Sequence, residues 1–259
     1  MSNATLGELV KGLAAGDIKM VDLTETLRPE YPTITLPEEF GQAWGFKKET
    51  ISRYDENGPA WSWSNFSMSE HTGTHLDAPA HWVTGKDLAN ATVDTMPLEQ
   101  MIAPVCVVDC TAEVAKDKGF ILTKEFLLEW EKTHGIIPAG SWVFLRSDWR
   151  KIADPENYTN MQDDGGHSPG PDMGAVLWMI EERDVLGFGT ECVGTDAGQA
   201  FAMDPPYPCH HFMHGNGRLG LQCMTNLDLL PPTGAVVIST PLKIIEGSGS
   251  PLRVVALVP

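Results

Sequence analysis

The chain has 259 residues, 42% of them hydrophobic, which is ample for a buried core. Its 35 acidic residues outnumber 18 basic ones for a net charge of −17, and such a surface repels phosphate backbones and argues against a nucleic-acid partner. No stretch approaches the ~18 uninterrupted apolar residues of a membrane span, the N-terminus lacks a signal-peptide pattern, and five cysteines without a CxxC pair fit a reduced, cytoplasmic protein.

The length suits one domain over residues 1–259. Residues 5–16 predict a helix with Leu6, Leu9, Val10 and Leu13 on one face, Thr5 and Glu8 as a capping box, and Gly16 as its stop. Residues 19–24 predict a short strand. A loop with Pro29, Pro32 and Pro37 comes after it, suited to covering a pocket or a partner subunit. Residues 61–70 alternate large and small side chains, as a strand does. Trp61, Trp63 and Asn65 share parity with His71, so without a bulge the two tryptophans line the approach to that histidine; a core or dimer contact is the equal alternative.

Next comes His71-Thr-Gly73-Thr-His75-Leu-Asp77-Ala-Pro79-Ala-His81, then Trp82. Three of the chain's eight histidines and one aspartate fall within these few residues. Imidazole nitrogen and carboxylate oxygen together suit a borderline divalent ion such as zinc or manganese. One histidine in a polar turn is usually structural; a set of this size favours a metal. His71, His75 and Asp77 share parity, but a straight strand spreads them over roughly 20 Å. Ligand atoms sit about 2.0–2.2 Å from an ion, so the chain must curl. The expectation is a strand ending near His71, then a turn at Gly73 that folds His75 and Asp77 back. His81, beyond Pro79, stands near the ion without binding it.

Downstream, a short helix is expected from Pro97, a buried strand over 104–110, and a helix from Thr123 to His134 with Phe126, Leu127 and Trp130 on its apolar face. A strand over 141–146, a polar loop over 151–170, a helix over 172–183 and strands near 187–194, 219–224, 235–240 and 253–258 complete the chain. The mixture predicts an α/β fold on a mixed, barrel-like sheet. Gly215-Asn-Gly217-Arg-Leu-Gly220 matches GxGxxG but precedes a predicted strand, so it is not a dinucleotide fingerprint. No Gly-x-Ser-x-Gly elbow is present, and Cys106 and Cys110 read as core. His210, His211 and His214 form a second polar cluster that can add a metal contact, a supporting hydrogen bond or a proton donor, with at least one of them a surface residue.

The spacing His71-x-Gly73-Thr74-His75-x-Asp77-x-Pro79-x-His81 resembles the motif of the cyclase family, metal-dependent amidohydrolases that include kynurenine formamidases and isatin hydrolases. The likeness extends to Asp22-Leu-Thr24, Gly194-Thr195-Asp196, Gly220 to Pro232 and Pro241 to Pro251. Ser168-Pro-Gly-Pro171 and Gly194 to Gly198 are worded most like the isatin hydrolases. The resemblance implies a swivelling β/β/α fold, a homodimer, and His71, His75 and Asp77 as ligands of a divalent metal. It implies His81 as the catalytic histidine, with His210 at a second-metal position or near the substrate. Trp61, Trp63, Phe66 and Trp82 are the candidate surfaces for stacking a small aromatic cyclic amide. In two-metal members a histidine and a glutamate join the bridging aspartate; the glutamate position falls on Gln222, so one ion per chain is expected, with Mn2+ favoured over Zn2+. Formamide hydrolysis on kynurenine-like substrates is the alternative chemistry, and a non-catalytic metal-binding protein the alternative class.

Overall fold

Runs of β-branched and aromatic residues build the sheet of the computed structural model of this chain, which describes residues 4–36, 38–58, 60–83 and 88–259. Pro37 of the expected proline-rich loop lies outside the described residues. The longer strands are β1 (Lys19–Asp22), β2 (Lys47–Ser52), β3 (Trp63–Ser67), β4 (His75–Asp77), β5 (Ile102–Asp109) and β6 (Trp142–Arg146). They continue with β7 (Gly187–Thr190), β8 (Leu219–Gln222), β9 (Ala235–Ser239), β10 (Gly249–Pro251) and β11 (Val254–Val258). Nine of them form one sheet in the order β1-β11-β9-β5-β6-β7-β8-β4-β10. The steps from β5 through β8 are parallel, and the other pairings are antiparallel.

This order forces the sheet to curl. β10 is one edge and β11 lies next to the other, yet only Leu252 and Arg253 separate them in sequence. So short a link spans roughly 10 Å, so the two edges must approach each other. Backbone contacts past the ends of β1 and β8 hold them there: Thr225 N–H donates to the Leu23 carbonyl at 3.1 Å, and Thr24 and Met224 form a bridge. The expected mixed, barrel-like α/β architecture is what the structure has.

Side-chain alternation splits the core into two layers. Leu76, Val105, Val107, Trp142, Phe144, Leu221 and Val237 fill the inside of the curled sheet. Cys106, Val108, Val143, Leu145 and Phe188 point outward to helices at Lys124–His134 and Met173–Glu181, which bring Leu127, Trp130, Val176 and Met179. Both helices begin as their sequences require: the Thr123 side chain accepts from Phe126 N–H, and the Asp172 side chain from Ala175 N–H. Burying each such apolar side chain contributes about 1.5–3 kcal/mol.

Three expectations change. The helix α1 (Ala4–Ala15) forms and stops at Gly16, but Leu6 and Val10 of its apolar face remain 73% and 63% exposed. The strand expected over 61–70 is Trp63–Ser67, and it pairs with β2 in a two-stranded ribbon outside the main sheet. β10 is an extra strand between those expected near 235–240 and 253–258, and the loop expected over 151–170 includes two-residue strands at Met161–Gln162 and Gly165–Gly166. These strands carry no apolar alternation to announce them. No helix among the described residues is long and apolar enough to cross a membrane.

Candidate metal centre

The site is built on β4. Leu76 is fully buried inside the curled sheet, so its neighbours His75 and Asp77 must point to the outer face. The turn falls at Gly73 as expected, but the strand follows it instead of ending near His71, and His75–Asp77 is itself extended. Gly73 makes the turn at φ +72°, where a Cβ would meet Leu27 Cδ2 at 2.5 Å. That turn brings His71 back onto Asp77.

Glycines on both flanking strands leave room for the cluster. Gly220 of β8 and Gly249 of β10 each stand opposite Asp77. A Cβ at Gly220 would lie 3.2 Å from Asp77 Oδ2; one at Gly249 would lie 2.5 Å from His71 Cε1 and 2.8 Å from the Leu76 carbonyl. Gly249→Ala is accordingly expected to push His71 away, weaken metal binding and cost about 1–3 kcal/mol of stability. Chelator competition and urea unfolding measure the two effects.

Asp77 is fully buried and collects the imidazoles. His71 Nδ1 lies 2.8 Å and His75 Nε2 3.3 Å from Asp77 Oδ1. His75 Nδ1 is 2.8 Å from the Gly73 carbonyl, which can only accept, so the proton sits on Nδ1 and Nε2 offers a bare lone pair to Asp77. Ligand atoms of His71, Asp77 and His81 lie within 4.8 Å of one another, as do those of Asp77, His210 and His214. Burial drives the His81 pKa down to about 3 against the pull of Asp77, so His81 is neutral.

The second wall comes from the π-helical turn His210–His214. Its wide pitch sets residues four apart on one side, and the His210 and His214 rings stand 5.4 Å apart. Asp196 anchors this turn by accepting from Cys209 N–H at 2.6 Å, from His210 N–H at 3.0 Å and from His210 Nδ1 at 2.5 Å. Burial opposes a charge on His210, but Asp196 and Asp77 outweigh it and raise its pKa. His214 donates through Nδ1 to the Arg218 carbonyl at 3.0 Å, which leaves its buried Nε2 a lone pair without a partner. His211 is exposed and packs on Phe212. Gln222 lies between the two walls. Its Oε1 accepts from Gly194 N–H at 2.7 Å, and its amide nitrogen donates to Asp77 Oδ2 in a short contact.

A divalent cation fits these residues. The bare nitrogen of His75 faces buried Asp77 at 3.3 Å, ring nitrogens of His71, His81, His210 and His214 lie within 4.8 Å of its carboxylate, and lone pairs so placed call for positive charge among them. No lysine or arginine among the described residues bonds to Asp77 to supply it.

Of the predicted aromatic residues, the single chain brings Trp82 to the cluster, 5.0 Å from the His210 ring and 6.1 Å from His81. Trp61 and Trp63 meet each other at 6.2 Å, Phe66 meets Phe46 at 6.0 Å, and all three are exposed. None of the three meets a histidine ring among the described residues. The parity argument fails for them because the chain leaves β3 at Ser67 and turns before β4. Asp196 belongs to the Gly194-Thr195-Asp196 motif, but only its partner in the fold gives it a role. Tyr207, beside Trp82 at 5.8 Å, had no sequence signal.

A family model described as "Putative cyclase" matches residues 21–197. The chain is 43% identical to the isatin hydrolase of Roseibium aggregatum over 260 aligned residues, covering 100% of this chain and 98% of that protein. Isatin hydrolase A from Labrenzia aggregata, solved with benzyl benzoate, superposes with a TM-score of 0.95 at 55% identity, covering 98% of this chain and 99% of that one. An isatin hydrolase solved with the product analogue thioisatinate gives a TM-score of 0.95 at 43% identity and full coverage of both chains. On these matches and this architecture, the chain belongs to the cyclase family.

Proposed function

We propose that this chain is a metal-dependent hydrolase that opens the cyclic amide of isatin to isatinate. The observation that carries the reading is the histidine cluster around buried Asp77 in a chain that matches isatin hydrolase along its whole length. His71, His75 and Asp77 hold one divalent ion, which when bound polarises the amide carbonyl and lowers the pKa of water. The other side chains do the rest. Neutral His81 accepts the proton of the attacking water and returns it to the ring nitrogen as the C–N bond breaks. His210, pinned through Nδ1 by Asp196, turns Nε2 inward to donate to a substrate oxygen. Trp82 offers its face to the flat ring. The products are a carboxylate and an aromatic amine. A screen of the manganese- or zinc-loaded protein on isatin, formylkynurenine and simple lactones tests the assignment: isatin is the expected substrate, and faster turnover of formylkynurenine would replace it.

We infer one ion per chain, with Mn2+ preferred to Zn2+. The Gln222 amide supports this, because its oxygen is taken by Gly194 and its N–H2 faces Asp77 Oδ2, where a second ion would need a lone pair. A neutral amide also lacks the charge that offsets dehydration of a cation. The mixed imidazole and carboxylate donors of His71, His75 and Asp77 would accept Mn2+ as well as Zn2+. Elemental analysis should return one ion per wild-type chain and a second in Gln222→Glu; two tightly held ions in the wild type would contradict the inference.

The exposed Leu6 and Val10 of α1 and Trp61, Trp63 and Phe66 of the ribbon support a homodimer, which sedimentation can test. Five buried, free cysteines support a reducing, cytoplasmic setting.

A further inference from the structure

His71 has a second contact, on the side away from Asp77. Its Nε2 lies 3.0 Å from Ser248 Oγ. The Ser248 hydroxyl in turn donates to Glu70 Oε2 at 2.9 Å, and Ser248 N–H reaches the same oxygen at 3.1 Å. A hydroxyl carries one proton, and a carboxylate accepts only. With that proton committed to Glu70, Ser248 Oγ must accept from His71 Nε2–H. His71 Nδ1 is then the bare nitrogen, 2.8 Å from Asp77 Oδ1.

Two lone pairs facing each other at that distance need a positive charge between them. In the loaded chain the ion supplies it. The flanking glycines hold the pieces together. A Cβ at Gly249 would strike the His71 ring, and one at Gly247 would lie 3.2 Å from Glu70 Oε1. Segment 247–249 thus cradles both ends of the Glu70–His71 pair, although it lies some 180 residues away in sequence.

We propose that Glu70 and Ser248 are positioning residues that fix the tautomer and aim of His71, presenting Nδ1 to the catalytic ion. This rests on the reading of His71 as an ion ligand. Neither residue is assigned a contact with substrate; both act through His71.

The test is Mn2+ titrated into metal-free protein, with affinity read by chelator competition. Ser248→Ala and Glu70→Gln are each expected to weaken Mn2+ binding about 10–100-fold, the usual effect of losing a partner behind a ligating histidine. Ser248→Thr, which keeps the hydroxyl, is expected to restore affinity to near wild type. The metal-free melting temperatures of Ser248→Ala and Ser248→Thr should agree, which separates positioning from a general loss of fold. His71→Ala belongs in the same titration. Wild-type affinity in Ser248→Ala and Glu70→Gln alongside weak binding in His71→Ala would overturn the relay alone. Wild-type affinity in His71→Ala would overturn the relay together with the ligand assignment. Failure of Ser248→Thr to rescue would also count against it.

Discussion

Asp77→Ala is expected to leave the chain both metal-free and inactive. Among the described residues Asp77 is the carboxylate shared by both candidate ligand groups, and it is completely buried. Both His71 and His75 converge on its Oδ1, and His210 and Gln222 approach its Oδ2. Removing it leaves several imidazoles with no anion to hold a cation among them. Turnover should fall by at least ~10³-fold, the scale on which loss of a preorganised electrostatic stabiliser is felt. His71→Ala and His75→Ala should take the same course, each losing bound metal with activity. Elemental analysis of the purified variants decides the point: full occupancy in any one of them removes that residue from the ligand set.

His81→Ala is expected to behave differently, keeping its metal while kcat drops about 10²–10⁴-fold, as for a lost acid–base group. The His81 ring stands 4.0 Å from that of His71, and its nitrogen lies within ligand reach of Asp77, so proximity alone would allow it to bind the ion. But it sits on the one-turn helix Ala80–Val83, past the strand, on the side where Trp82 opens toward solvent. The proposed role is that a neutral imidazole there takes the proton of a water. Metal analysis of the variant separates the roles, since a metal-free His81→Ala makes the residue a ligand and wild-type kcat makes it neither acid nor base.

The local parts of the fold and site were legible in the chain. The spacing from His71 to His81 marked the cluster, and the alternation of apolar Leu76 with His75 and Asp77 is what turns the two polar side chains to one face. The helix start at Thr123 came from capping chemistry, and the interior strands from their apolar content. What sequence could not supply was partnership across the fold. Asp196 holds His210, Gly194 fixes the orientation of Gln222, and Gly249 makes space for His71; each pair is joined only when the sheet curls. The tryptophans near β3 show the limit of parity: Trp61 and Trp63 count in step with His71, yet a turn between β3 and β4 breaks the count. For α1 the helical period was plain, but whether its apolar face is covered depends on what lies outside this chain.

That metal held at Asp77 opens isatin is tested by stripping the purified protein with a chelator, measuring isatin consumption and isatinate formation, and then restoring Mn2+ in steps to one equivalent. No ring opening above background is expected in the stripped protein, with recovery in proportion to bound ion and complete near one per chain. Undiminished isatin hydrolysis by the metal-free protein, or no isatinate at any Mn2+ or Zn2+ concentration, would contradict it.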